Sequence, residues 1–338
     1  MNEETLIEKA HVHLDSILNL VFNHTKKNKA VVVYDEGSPL SRILARAYER
    51  CLPDAQFVNF DERIPKEILD ILSSLKASDF VALVQSTNFR LDAFRIRVEL
   101  FKRDIKVLEH PHLTRMSQEE IPHYVNSLEY DFDYYRGVGN SLKTKIDAAS
   151  FGSVESGGEL LIYDCAFEDA KLNVGDYSKI KNVGGQFPLG EVFTEAKDLK
   201  ALNGRVNIFA FGDMSYRVNV PKTPITLVVK EGQVVDCENS TLDFDQILST
   251  IRADEEVVWV RELGFGLNRA FDKTRLVGDI GAYERMCGIH FSLGAKHGMY
   301  GKPGFKRGDG KYHVDVFADT KLFKLNDEVV YENGAWLV

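Results

Sequence analysis

The 338-residue chain is long enough for two domains with well-buried cores, and 44% hydrophobic with 28% charged residues is ordinary globular composition, which excludes disorder over most of its length. Its 42 basic and 51 acidic residues leave a formal net charge of −9, so neither nucleic acid nor an anionic membrane is expected as a partner. The opening Met1-Asn2-Glu3-Glu4-Thr5 is acidic where a secretory signal is basic, and no apolar run approaches a bilayer span. Cys51, Cys165, Cys237 and Cys287 form no C-x-x-C pair, so a reducing, cytoplasmic setting is the expectation.

Leu6, Ala10, His13, Leu14, Ile17, Leu18 and Val21 recur at threes and fours, which predicts an amphipathic helix over residues 5–27. Lys29 to Asp35 then reads as a strand, and Gly37-Ser38-Pro39 opens a helix with its apolar stripe on Leu40, Ile43, Leu44, Ala47 and Tyr48. Strand-like runs at 55–60, 79–84 and 105–109 alternate with helical patterns at 66–75 and 91–102. This alternation predicts an α/β N-terminal domain with a parallel sheet, assigned to residues 1–145. The loop Asp35-Glu36-Gly37-Ser38 stands where α/β sheets meet ligands, yet it lacks the spaced glycines of a dinucleotide or phosphate motif. His110-Pro111-His112 reads as a surface turn, and Glu129 to Arg136 as a helix end or connection.

From 146 to 338 the chain turns β-rich, with strand-like runs at 159–163, 205–211, 225–229, 234–236 and 257–260, and a β-rich α+β C-terminal domain is predicted there. Lys230-Glu231-Gly232-Gln233 joins two of these runs as a hairpin, and Asn333-Gly334 marks another tight turn.

The metal-binding chemistry is expected in this second domain. Alternation puts Gly288, His290, Ser292 and Gly294 on one face of a strand, opposite the core-facing Ile289, Phe291 and Leu293. His313 and Asp315 likewise share a face, opposite Tyr312, Val314 and Val316, which makes a two-point chelate to which His290 offers a third ligand. With imidazole and carboxylate donors and no cysteine pair, the ion would be zinc, cobalt, manganese or non-haem iron. Two glutamates have matching character: Glu191 follows a loop shaped by glycines and a proline, and Glu262 ends an apolar run just before the alternating Gly264 and Gly266. The alternative for each of these side chains is an ordinary hydrogen-bonded histidine or a solvated strand-end charge.

Four segments in order, Phe187-Pro188-Leu189-Gly190-Glu191-Val192-Phe193-Thr194, Glu262-Leu263-Gly264-Phe265-Gly266-Leu267-Asn268, His290-Phe291-Ser292-Leu293-Gly294 and His313-Val314-Asp315, resemble the thermophilic aminopeptidase family of metallopeptidases. The resemblance is clearest over residues 180–320. It implies Glu191, Glu262, His290, His313 and Asp315 as metal ligands, a divalent metal cofactor and a homodimer. The sequence departs from the family's pattern at His297, which stands where the family has a tyrosine and has Tyr300 nearby, and at Glu284-Arg285, which replaces a glutamate-lysine pair.

The first functional expectation is an aminopeptidase-like hydrolase of short peptides that acts through a water activated by a pair of zinc, cobalt or manganese ions. Glu284, or Glu262 itself, would collect a proton for the leaving amine, and His297 or Tyr300 would stabilise the oxyanion. The second is a ring-cleaving dioxygenase, since dihydroxypyridine dioxygenases resemble shortened relatives of these peptidases; His290, His313 and Asp315 would then hold Fe(II). The third is a binding protein without turnover, with the glycine-rich and basic run Gly298 to Gly310 as a lid.

Overall fold

A computed structural model describes residues 2–91, 94–302, 305 and 310–338, and the statements below concern these residues. They form two compact units, one from Met1–Phe132 with Gly175–Leu189 and the other from Asp133–Val174 with Gly190–Val338.

In the first unit, helix α1 (Glu3–Leu20) buries Leu6, Ile7, Ala10, His13, Leu14, Ile17 and Leu18, the stripe that its periodicity predicts. It stops well before residue 27 because Asn23 takes a left-handed φ of 45° and the His24 N–H reaches back to the Leu18 carbonyl at 2.9 Å, a Schellman-type ending. Strands β1 (Ala30–Tyr34), β2 (Gln56–Asn59), β3 (Phe80–Val84) and β4 (Lys106–His110) pair in parallel in the order β2-β1-β3-β4. Burial on both faces accounts for the nearly continuous apolar runs: every residue of β3 is buried. Val31, Val33, Val81, Leu83 and Val107 pack with Ile68, Leu72 and Leu100 from the covering helices. The helix predicted over 91–102 begins only at Ile96; Leu91 instead bridges to Phe94, and residues 92 and 93 lie outside the described ones.

The loop after β1 is occupied with its own folding. The Asp35 carboxylate accepts from the Gly37 N–H at 3.0 Å and the Ser86 N–H at 2.8 Å, while Ser38 and Ser41 form a reciprocal capping box at the start of helix α2 (Pro39–Cys51). The end of β4 differs from its expectation as a surface turn. His110 is wholly buried, with Nε2 3.0 Å from the Tyr48 hydroxyl and Nδ1 2.9 Å from that of Tyr124.

The units do not meet at a single boundary near residue 145. A helix from Phe132 to Ala148 belongs almost wholly to the second unit, because Lys143 Nζ donates to the Ala170 carbonyl at 2.7 Å and the Asp147 carboxylate accepts from the Ala170 N–H at 2.7 Å. Residues 175–189 return to the first unit, where β5 (Gly184–Gln186), read from sequence as part of a loop, adds to β4 in parallel.

The second unit is built on a 14-stranded sheet whose pairings are antiparallel among the described residues. Both predicted hairpins are present, Ile225–Lys230 with Gln233–Glu238 and Glu328–Glu332 with Ala335–Trp336. Four neighbouring strands carry the candidate site: β6 (Glu191–Glu195), β7 (Val260–Gly266), β8 (Gly288–Leu293) and β9 (Val314–Ala318). No helix among the described residues is long and apolar enough to cross a membrane.

Candidate metal centre

Register assembles the site. Gly266 pairs with Glu191, Gly264 with both Phe193 and His290, Glu262 with Glu195, and Ser292 with Asp315. Because side chains alternate along each strand, Glu191, Glu262, His290 and Asp315 all rise from one face of the four strands. His313, one residue before β9, joins the same face by parity. The polar face of β8 is not a solvent face: all six residues of that strand are buried.

The glycines of the Glu262-Leu263-Gly264-Phe265-Gly266 segment have separate steric reasons. A Cβ on Gly264 would overlap Nε2 and Cε1 of His290, so only glycine lets that ring lie across β7. A Cβ on Gly266 would overlap the backbone at Arg285 and Met286, where the chain turns into β8. The first glycine sets the ring and the second sets the strand that carries it.

His290 Nε2 lies 3.4 Å from Glu191 Oε1 and 3.6 Å from Glu262 Oε1. His297 Nδ1 is 3.2 Å from Glu262 Oε2, and His313 Nε2 is 3.0 Å from Asp315 Oδ1. The donor atoms of Glu191, Glu262 and His290 lie within 4.8 Å of one another, as do those of Glu284, His290 and Asp315, and those of Glu262, His297 and His313. Bonds of about 2.0–2.1 Å put donors on a shared ion about 3.0–3.4 Å apart, so these spacings suit one. Hydrogen-bond accounting agrees: both ring nitrogens of His290, Nε2 of His297 and Oδ1 of Asp315 are buried without a hydrogen-bond partner among the described residues. Buried polar atoms are rarely left so, and cations among them would satisfy all but one nitrogen of the His290 ring, which binds an ion through a single nitrogen.

The electrostatics are those of a cluster short of positive charge. Burial alone would lower the pKa of His290, but Glu191 and Glu262 outweigh it and raise it to about 10. His313 is likewise raised to about 10, with burial opposed by Asp315 and Glu262. Burial would raise Glu262, yet the rings of His290 and His297 hold its carboxyl well below the usual range. Glu284 is pushed up to about 8, first by burial and then by Glu191 and Asp315, against the pull of Arg285.

Among the residues proposed for chemistry, Glu284 stands beside Glu191 and Asp315 and is ion-paired to Arg285. The Tyr300 hydroxyl donates to the Asp169 carbonyl at 2.9 Å, with the Phe193 carbonyl at 3.3 Å, and its ring stacks on His297 at 5.2 Å. Of the run Gly298 to Gly310, residues 303, 304 and 306–309 lie outside the described ones. Sequence reasoning left Arg285 without a role, although it is buried and holds Glu191 Oε2 at 2.9 Å. The signal was the Glu284-Arg285 pair just ahead of β8. Glu195 also rises from the ligand face, but it is consumed by a buried ion pair with Arg261, with Lys302 Nζ 3.6 Å away.

No protein-family model matches the chain, and no curated protein matches it. Among solved structures it is similar to wild-type AmpT from Thermus thermophilus, with a TM-score of 0.58 and 12% identity over 98% of this chain and 99% of that one. At that identity the likeness is one of fold.

Proposed function

We propose that this chain is a metal-dependent hydrolase of the aminopeptidase type, acting on short peptides, with Glu191, Glu262, His290, His313 and Asp315 as ligands. The observation that carries the reading is the number of donors: three overlapping groups bring together Glu191, Glu262, Glu284, His290, His297, His313 and Asp315, more side chains than a single four-coordinate ion uses. The fold likeness to AmpT and the ordered motifs shared with thermophilic aminopeptidases support it. Bound divalent ions would lower the pKa of a water and polarise a scissile carbonyl. The chain's own part follows from the residues. Arg285 fixes the rotamer of Glu191 and leaves its second oxygen facing His290. Gly264 gives the His290 ring its position. Glu284, buried beside Glu191 and Asp315, is placed to collect a proton and pass it to a leaving amine.

One observation favours a second reading. Glu262, His297 and His313, a different set from the His290, His313 and Asp315 expected from sequence, form a two-histidine, one-carboxylate group, the donor type of Fe(II) oxygenases. Elemental analysis of protein purified without added metal or chelator separates the two. The hydrolase requires about two zinc, cobalt or manganese ions per chain and cleavage of amino-acid amides or short peptides that falls more than about 100-fold in His313→Ala. One iron per chain with substrate-dependent oxygen uptake would replace it by the dioxygenase, and no bound metal after reconstitution would remove both.

A further inference from the structure

We infer that His297 is itself a metal ligand and that, with Glu262 and His313, it builds a second, outer position for one divalent transition-metal ion. The inference rests on the metal-binding reading above and changes the part given to His297, from an oxyanion-stabilising group to a donor.

His297 sits in the loop after β8, yet its side chain is only 3% exposed. Its Nδ1 faces Glu262 Oε2 at 3.2 Å, while its Nε2 is buried with no hydrogen-bond partner among the described residues. A histidine that merely donated to Glu262 would leave that second nitrogen desolvated for nothing. The ring is held like a ligand. Tyr300 stacks on it with an interplanar angle of 17°, and the Tyr300 hydroxyl is anchored to two backbone carbonyls. The His313 ring is nearly parallel to that of His297, at 14° and a centroid separation of 6.1 Å.

His313 is oriented for the same task. Its Nδ1 lies 3.0 Å from the Lys296 carbonyl, which can only accept, so Nδ1 carries the proton and donates. In the neutral ring Nε2 is then a lone pair, turned toward the Asp315 carboxylate at 3.0 Å. In the metal-free protein a proton on Nε2 bridges it to the carboxylate, and a bound ion can take that proton's place. One donor atom from each of Glu262, His297 and His313 falls within the 4.8 Å cluster, and two imidazoles with one carboxylate suit zinc, cobalt or ferrous iron. The positions differ in access: Glu191, Glu262 and His290 are buried, whereas the His313 side chain is 27% exposed. The outer ion is therefore the one that exchanges and meets substrate.

The test strips the full-length protein of metal, titrates it with Co(II), and reads bound metal per chain together with the visible absorption of the ion. The deciding variant is His297→Phe, which keeps an aromatic ring against Tyr300 and His313 but has no donor; His297→Ala is the second. Wild-type protein is expected to bind two ions. Both variants should keep the first and bind the second more than about 100-fold more weakly, with the corresponding absorption lost. Unchanged circular dichroism and melting temperature in the metal-free variants separate this result from unfolding. Two ions bound to His297→Phe with wild-type affinity would overturn the inference and leave the metal centre standing. A wild-type protein that binds no cobalt would remove the metal-binding reading, and this inference with it. If the wild type binds two ions but cleaves no peptide, the hydrolytic reading alone fails, and the ion count in the variants still decides the role of His297.

Discussion

His110 in the first unit and His290 in the second are both fully buried at a strand, and only their partners tell them apart. Around His110 every hydrogen-bonding need is met. The Tyr124 hydroxyl spends its proton on the Phe187 carbonyl at 3.2 Å, so its oxygen accepts from His110 Nδ1–H, and His110 Nε2 accepts from Tyr48. Burial then holds the ring neutral, with its pKa lowered to about 3. Around His290 there are carboxylates at 3.4 and 3.6 Å, no hydrogen-bond partner for either nitrogen among the described residues, and a pKa raised to about 10. A buried histidine with neutral donors and acceptors is a structural part. One held among anions and otherwise unpartnered has the surroundings of a cation site, which is the role proposed for it.

The change expected to break this contrast most strongly is Gly264→Ala. The added methyl overlaps the His290 ring and must displace it, because the neighbours on β6 and β8 leave the strand no room to shift. Metal affinity should fall more than about 100-fold with loss of any peptide hydrolysis, alongside a stability cost of about 1–3 kcal/mol from overpacking. Isothermal titration with zinc reads the first effect and urea denaturation the second. Wild-type zinc affinity in this variant would show that the ring does not need the cradle, and would count against His290 as a ligand.

The same contrast marks what the sequence makes legible. Alternation along His290 to Leu293 and His313 to Val316 was enough to place His290, His313 and Asp315 on one face, since a strand's period is two whatever it packs against. The parallel sheet was legible for a similar reason: short apolar runs alternating with amphipathic stripes leave few other arrangements. Three things were beyond local pattern. The partners of His110, Tyr48 and Tyr124, stand 62 and 14 residues away in sequence, so its burial could not be read from His110-Pro111-His112. The return of Gly184–Gln186 to the first sheet was hidden as well, because two glycines and a glutamine have no strand propensity; pairing with β4 decides their conformation. The nearness of His297 to both Glu262 and His313 also depends on a loop path that spacing does not specify.

A pH titration of stability sharpens the comparison from the first unit's side. His110 has a folded pKa of about 3 against an ordinary value of 6.5, so between those limits the unfolded chain binds the proton and the folded chain does not. Its neutral burial therefore contributes fully above about pH 6.5 and is lost as the pH falls toward 3. The expected loss is about 3 kcal/mol between pH 7 and pH 4. The measurement is urea denaturation of the full chain at several pH values, comparing wild type with His110→Gln, so that the titration of all other groups cancels. Parallel stability curves for the two proteins would mean that His110 is not held neutral in the folded state.

The smallest expected effect is that of Tyr48→Phe, which removes one hydroxyl from the same chain of bonds. It leaves His110 Nε2 buried with no donor, at a cost of about 1–2 kcal/mol, less than Tyr124→Phe, which breaks both the bond from His110 and the bond to Phe187. Neither tyrosine belongs to the unit that carries the proposed metal ligands, so zinc stoichiometry should be unchanged in both variants. Unfolding midpoints and zinc counts on the same samples give the answer. If the two histidines differ as their partners imply, damage around His110 appears in the midpoint alone, whereas damage around His290 appears first in the zinc count. A loss of zinc on Tyr48→Phe would show that the two environments are coupled.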